Sequence, residues 1–398
     1  MSLSKPLVTI REGSAANWAI RVVVTLLVAG VVLWVPVRGD AGLISTTTEA
    51  LTLMCAAMAL NLVLGYTGQI SIGHSAFLGI GAYTTGILVS RWGWSPWLTF
   101  PVAFAVAFVI GVLVSFPASR IKGVYLALVT LALGLVFPTL LTWKKLAWLT
   151  GGGAGLPSKD SAVDTTGFDI GLEQRGKMQY FEIFGWDPFG DLRRPEAKGA
   201  FWYWIAIGVV IIVYLACRGV VKSRAGRSLV AIRDNETAAA VMGVNLVATK
   251  AFVFGISAGL CALPGCVVAI RTGSISPEGI LSLTVRGAIT FLIVMVIGGA
   301  GSLWGPILGA LLYVFVTDRT GEWANDDAIP GLLRPFFAWS EIPPADGIFA
   351  IVLILLMFAA PRGLAGVWRQ YLPRVVRVVP RPAGRIGAAM TPAAPADR

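Results

Sequence analysis

Long apolar runs, separated by short polar or basic connections, occupy most of the chain from residue 19 onward. A helix crosses the hydrocarbon core of a bilayer in about 20 apolar residues, with roughly 17–25 as the range. On that ruler the runs are 19–36, 48–64, 76–90, 98–116, 123–143, 201–217, 249–270, 285–298, 303–317 and 347–361. The pattern predicts an all-α, polytopic membrane protein of about ten transmembrane or re-entrant helices, since only helices or closed barrels satisfy their backbones in lipid. Runs 76–90 and 303–317 are short, so tilted, re-entrant or broken helices are expected there. The first run ends in Val35-Pro36-Val37-Arg38 with no small-x-small cleavage site, and reads as an anchor rather than a removable signal.

Basic residues set the expected orientation. The connection 218–248 carries Arg218, Lys222, Arg224, Arg227 and Arg233, with Lys250 just beyond. Arg362, Arg369, Arg374, Arg377, Arg381 and Arg385 follow the last run, and Arg120 and Lys122 follow the fourth. Segment 318–346 is acidic instead. Cytoplasmic loops gather Lys and Arg, and the ten runs leave an even number between 218–248 and the tail, so both fall inside. Both termini are then cytoplasmic. The expected organisation is a transmembrane domain over 1–361, with an extracytoplasmic loop at 144–200 and a cytoplasmic loop at 218–248. A basic cytoplasmic tail, 362–398, is expected to be disordered or to lie on anionic membrane lipid.

Composition narrows the function. Of 398 residues, 56% are hydrophobic and 13% charged, against about 25% charged in soluble domains. An ordinary soluble enzyme is excluded. The net charge of +11 reads as membrane topology rather than as a nucleic-acid footprint. His74 is the single histidine, and Cys55, Cys217, Cys261 and Cys266 lie in apolar runs without C-x-x-C spacing. No metal or cofactor is expected. The spans hold almost no Asp, Glu or Lys, so no proton or ion relay is visible. The nearest string to a P-loop, Gly171 to Met178, places Met where the Mg²⁺-binding hydroxyl belongs. A transport-like chain without its own energy source needs a surface on which to dock one.

Residues 224–245 fit that need. Asp234 or Asn235 suits a helix N-cap, the Ala run that follows favours helix, and Gly243 suits a C-terminal stop. Gly226-Arg227, Arg233-Asp234-Asn-Glu236 and the Ala238-Ala239-x-x-x-Gly243 core resemble the coupling loop of ABC importer permeases, with Thr237 inserted between the Glu and the two Ala. A solvated surface helix is the plainer alternative. A second segment, Asn61-Leu-Val-Leu-Gly65-Tyr66-Thr67-Gly68-Gln69-Ile-Ser71-Ile-Gly73-His74-Ser75-Ala-Phe77-Leu-Gly79-Ile-Gly81-Ala-Tyr83, resembles permeases of high-affinity branched-chain amino acid importers, the LivM/LivH group. Arg120-Ile-Lys122-Gly123-Val-Tyr125, Thr150-Gly151-Gly152-Gly153-Ala-Gly155 and Gly298-Gly299-Ala-Gly301-Ser302-Leu-Trp304-Gly305-Pro306 extend the likeness.

The resemblance implies a permease of the bacterial cytoplasmic membrane that is not itself an enzyme. It implies ABC ATPase subunits docked at Gly226, Arg227, Arg233, Asp234, Glu236, Ala238, Ala239 and Gly243. A second homologous permease and an extracytoplasmic solute-binding protein complete the implied set. The small-molecule substrate is a branched-chain or related amino acid, with urea or a short amide as the alternative in the same family. Gly65, Gly68, Gln69, Ser71, His74 and Ser75 either pack helices closely or line the solute path on interrupted backbone. Ser71-x-x-His74 has no nearby carboxylate to orient the ring as a catalytic base, so packing is its expected role. A gradient-driven carrier and a membrane enzyme using Glu322, Asp326 and Asp327 are the readings from other classes.

Overall fold

The computed structural model describes residues 40–119, 124–156, 195–277 and 285–325, together with short stretches nearer the termini. Each apolar run from 48–64 to 303–317 coincides with a helix, with bounds that differ by at most about eight residues. These are α1 (Ala41–Thr67), α2 (His74–Trp92), α3 (Pro96–Ser119), α4 (Val124–Leu141), α5 (Pro195–Lys222), α8 (Leu246–Thr272), α9 (Val285–Gly298) and α10 (Gly305–Asn325). Two shorter helices, α6 (Arg224–Asp234) and α7 (Glu236–Val241), fill the connection between α5 and α8. The Asp40 side chain caps α1 by accepting from the Leu43 N–H at 3.1 Å, and Gly68 ends the helix in the left-handed conformation at φ 73°.

The chain divides into residues 38–366 and a second unit of residues 1–37 with 367–398. In the second unit a strand β1 (Val8–Arg11) pairs in parallel with β2 (Val376–Val379), Val8 opposite Val376. β2 lies in the basic tail. Most of the last run, 347–361, half of the first, and most of the loop 144–200 fall outside the described residues.

Within the larger unit, α1 and α8 form the centre. The apolar windows of both are 89% buried, against 28% for α3 and 22% for α5. A helix with little contact with lipid can carry polar groups that find partners inside the protein, and α1 buries Thr48, Thr52, Asn61 and Thr67. α8 packs on α2 and α3, and α1 packs on α5 and α10. Glycine sets the closest crossing: a Cβ at Gly81 would overlap the Ala262 carbonyl, and one at Gly265 would overlap the Leu78 carbonyl. The backbones of α2 and α8 therefore touch directly. The hairpin of α9 and α10 closes in the same way, with Gly309 against the Val294 carbonyl and Gly298 against the Gly305 carbonyl.

Two ends of the bundle are distinct. Near the N-terminus of α1, Gly199 lies against Ile44, the Arg271 guanidinium donates to the Ser45 carbonyl at 3.4 Å and the Thr46 hydroxyl donates to Asp318 at 3.1 Å. At its C-terminus, Gly65 and Gly68 meet Arg233 and Gly301. Residues 44 and 65 are about 30 Å apart at 1.5 Å per residue, a full hydrocarbon thickness. The connections 68–73, 223–245 and 299–304 thus share one end, as the alternation of spans requires.

Candidate functional site

The segment between α5 and α8 is built from its caps. Ser223 caps α6 through the Gly226 N–H, and Gly226, Leu229 and Ile232 turn inward at three-residue spacing. Gly226 is required there because a Cβ would overlap the Val221 carbonyl. Arg224, Arg227 and Arg233 lie on exposed positions. Asn235 caps α7 by accepting from the Ala238 N–H at 3.0 Å, which makes Asn235 rather than Asp234 the cap. Ala239 is buried while Ala238 is exposed. Val241 and Met242 are more than four-fifths exposed, at 82% and 84%, so the end of α7 offers an apolar tip to solvent. Gly243 follows at φ 85° with no atom within 4 Å of where a Cβ would stand. Glu236 turns back to accept from Lys250 Nζ at 2.7 Å, so α7 is fastened to the first turn of α8. The Lys250 side chain is 6% exposed.

The glycine-rich run divides between two surroundings. α1 stops at Thr67 and α2 starts at His74, leaving 68–73 as non-helical backbone. Gly65 and Gly68 sit against Arg233, whose Nη1 donates to the Gly65 carbonyl at 3.1 Å. Gln69 is buried beside them in sequence, with Nε2 unpaired among the described residues. Ser71, His74 and Ser75 lie inside the bundle, each 1% exposed. Gly73 touches α4, since a Cβ would overlap the Thr130 carbonyl, and the Ile72 N–H donates to Thr130 Oγ1 at 3.0 Å.

His74 links three elements. The Ser257 hydroxyl donates to the Ala59 carbonyl at 2.5 Å, so Ser257 must accept from His74 Nε2 at 2.8 Å. His74 Nδ1 then accepts from Ser71 Oγ at 2.7 Å. For a neutral ring the network fits the tautomer protonated at Nε2. Phe77 and Phe254 meet the ring edge-on, at centroid distances of 5.5 and 5.3 Å. Cys261 Sγ donates to the His74 carbonyl at 3.3 Å. Nε2 joins α2 to α8 and, through Ser257, to α1, while Nδ1 holds the 68–73 connection, an arrangement suited to holding helices together rather than to moving protons.

Two residues at this end escaped the sequence-based site. Asn61 is fully buried; its Oδ1 accepts from the Gly301 N–H at 2.9 Å and its Nδ2 donates to the Ser302 carbonyl at 2.8 Å. Ser257 supplies the far end of the His74 chain. Both are polar residues inside apolar spans, and the cost of such residues is the signal that marks them. Among the described residues no group of three His, Cys, Asp or Glu side chains converges as metal donors. Asp326 and Asp327 lie outside the described residues.

Comparison with known proteins agrees with the architecture. The family described as branched-chain amino acid transport system / permease component matches residues 42–360. The high-affinity branched-chain amino acid transport system permease protein LivM of Escherichia coli (strain K12) is 28% identical over 91% of this chain and 78% of its own length. The autoinducer 2 import system permease protein LsrC of Salmonella typhimurium is 24% identical over 76% of this chain and 80% of its own. The ribose import permease protein RbsC of Haemophilus influenzae is 31% identical over only 29% of the chain. No solved structure matches. A match of that extent, on a bundle of apolar helices with a basic capped segment at one end, places the chain in the family of branched-chain amino acid transport permeases, the multi-pass membrane subunits of ABC importers.

Proposed function

We propose that this permease carries branched-chain or related amino acids, driven by ATPase subunits that dock on α6 and α7. The observation that carries the docking site is the exposed apolar tip Val241-Met242 on a helix fastened by the Glu236–Lys250 pair. A rigid mount with an apolar end is what a partner's groove needs in order to push on the bundle. As a transport subunit the chain is not an enzyme; ATP hydrolysis belongs to its partners. The reading places both termini and the 223–245 end in the cytoplasm, by the density of Arg and Lys there. A second homologous permease completes the path, and a solute-binding protein delivers cargo to the opposite end, where the loop 144–200 begins. Neutral polar backbone around 68–73 suits a zwitterion. Gly65, Gly68, Gln69, Ser71, His74 and Ser75 divide between seating Arg233 and bracing the helices beside that path.

The amino-acid assignment follows the LivM likeness across most of the chain. The likenesses to a ribose import permease and an autoinducer 2 import permease favour a second reading, a sugar such as ribose. The deciding experiment purifies the chain from its own membrane in mild detergent, identifies its companions, and reconstitutes the assembly in vesicles. ATP-dependent uptake of labelled leucine, competed by isoleucine and valine but not by pentoses, is expected. Competition only by pentoses would transfer the cargo to the second reading, and recovery of the chain alone in several detergents would remove the docking site.

A further inference from the structure

We infer that Arg233 is a positioning residue that ties the coupling segment to both glycine turns, so that α6 and α7 cannot be displaced without moving the end of α1 and the α9–α10 connection. The inference rests on the importer reading above and deepens it. Its basis is one side chain with contacts on three elements. Arg233 Nη1 donates to the Gly65 carbonyl at 3.1 Å, while Nε and Nη2 both reach Asp234 Oδ1 at 3.2 Å. Asp234 is 65% exposed, so the pair adds little stability. It fixes the plane of the guanidinium and aims Nη1 at α1.

The stem is as informative as the head. Arg233 Cγ lies 3.1 Å from where a Cβ on Gly68 would stand, and Nη1 lies 3.2 Å from where one on Gly301 would stand. Both glycines have positive φ, 73° and 74°, and both leave the volume that Arg233 occupies. A side chain at Gly65 would in turn overlap the Gly301 amide and Asn61. Asn61 clasps the backbone of Gly301 and Ser302. Contacts therefore run unbroken from a side chain 40% exposed to one that is 0% exposed. Coupling between sites travels through packed and hydrogen-bonded groups of this kind, and needs a direct demonstration. Lysine would keep a donor for Gly65 but could not hold Asp234 at the same time, because only the guanidinium fork serves both.

The test compares wild type, Arg233→Lys and Arg233→Ala in the full-length chain assembled with its ATPase subunits. Amide hydrogen exchange over 298–305 is expected to rise about tenfold in Arg233→Ala, the effect of losing one charged hydrogen bond, with α8 unchanged. Solute carried per ATP falls by a similar factor while the ATPase still co-purifies, and Arg233→Lys falls between. Unchanged exchange over 298–305 overturns the inference, as does unchanged transport per ATP. Loss of the ATPase from Arg233→Ala also overturns it, because Arg233 would then be a docking residue. Should the wild-type assembly show no ATP-driven uptake, the importer reading fails, and the exchange comparison still decides the strut.

Discussion

Replacing Asn61 with leucine isolates the cost of one buried amide. Its two bonds, at 2.9 and 2.8 Å, are the described side-chain link between α1 and the α9–α10 connection. Their partners fix its orientation, because a backbone N–H can only donate and a carbonyl can only accept. Leucine is close in volume, so the loss is polar rather than steric. Two backbone groups are left unpaired in the interior, at about 1–3 kcal/mol each by soluble-protein measurement. Interhelical hydrogen bonds within a bilayer average nearer 0.6 kcal/mol, up to about 1.7, since the membrane-inserted unfolded chain finds other partners. Counted for two bonds, the membrane figures set the loss at about 1–3 kcal/mol. At roughly 2–4 °C per kcal/mol for a large domain, the unfolding midpoint should fall by about 2–12 °C. Thermal unfolding in mild detergent, followed by tryptophan fluorescence, reads this directly. A midpoint within about 1 °C of wild type, on the same conversion, would refute the reasoning.

Three other substitutions test separate contacts. Glu236→Lys sets two ammonium groups together at the start of α8, where Lys250 is nearly buried; removing a buried charge's partner costs about 3–5 kcal/mol, and uptake should uncouple from ATP hydrolysis while the protein remains inserted. Normal uptake per ATP in that variant would count against a docking role for α7. His74→Asn keeps a donor and an acceptor but shortens the reach to Ser257, so uptake in vesicles should fall only modestly, and total loss in a stably inserted protein would show that the imidazole does more than brace helices. Gly81→Val drives a branched side chain into the Ala262 carbonyl; the variant should fail to give a monodisperse detergent-solubilised species, and a wild-type elution profile would disprove the backbone contact of α2 with α8.

What was legible in the sequence follows from the range of each interaction. Apolar runs mark apolar helices directly, so α1 to α5 and α8 to α10 lie where the runs do. The cap of α7 is local and was legible to within one residue, at Asn235. The Ser71–His74 bond is three residues in span and its pairing was visible as spacing. Ser257 is separated from His74 by 183 positions, and Arg233 from Gly65 by 168. No local pattern encodes such pairs. That is why the sequence left packing and path lining both open for the glycine run, whose first half meets the coupling segment and whose second half enters the bundle. Glu236 stands in the first turn of α7, and its ion pair with Lys250 depends on α7 folding back over α8.

The reciprocal glycine contacts have a mechanical consequence. Where carbonyls meet bare Cα atoms, as at Gly81 and Gly265, no rotamer is available to absorb a displacement, and neither helix can slide past the other without breaking contact. α2 and α8 must therefore travel as one lever, and α9 with α10, joined at Gly298 and Gly309, as another. Compliance resides in the seams filled by larger side chains, where Leu, Ile and Phe can change rotamer at small cost. Access to the two sides of the membrane would then alternate by rolling stiff pairs over one another, not by bending a helix.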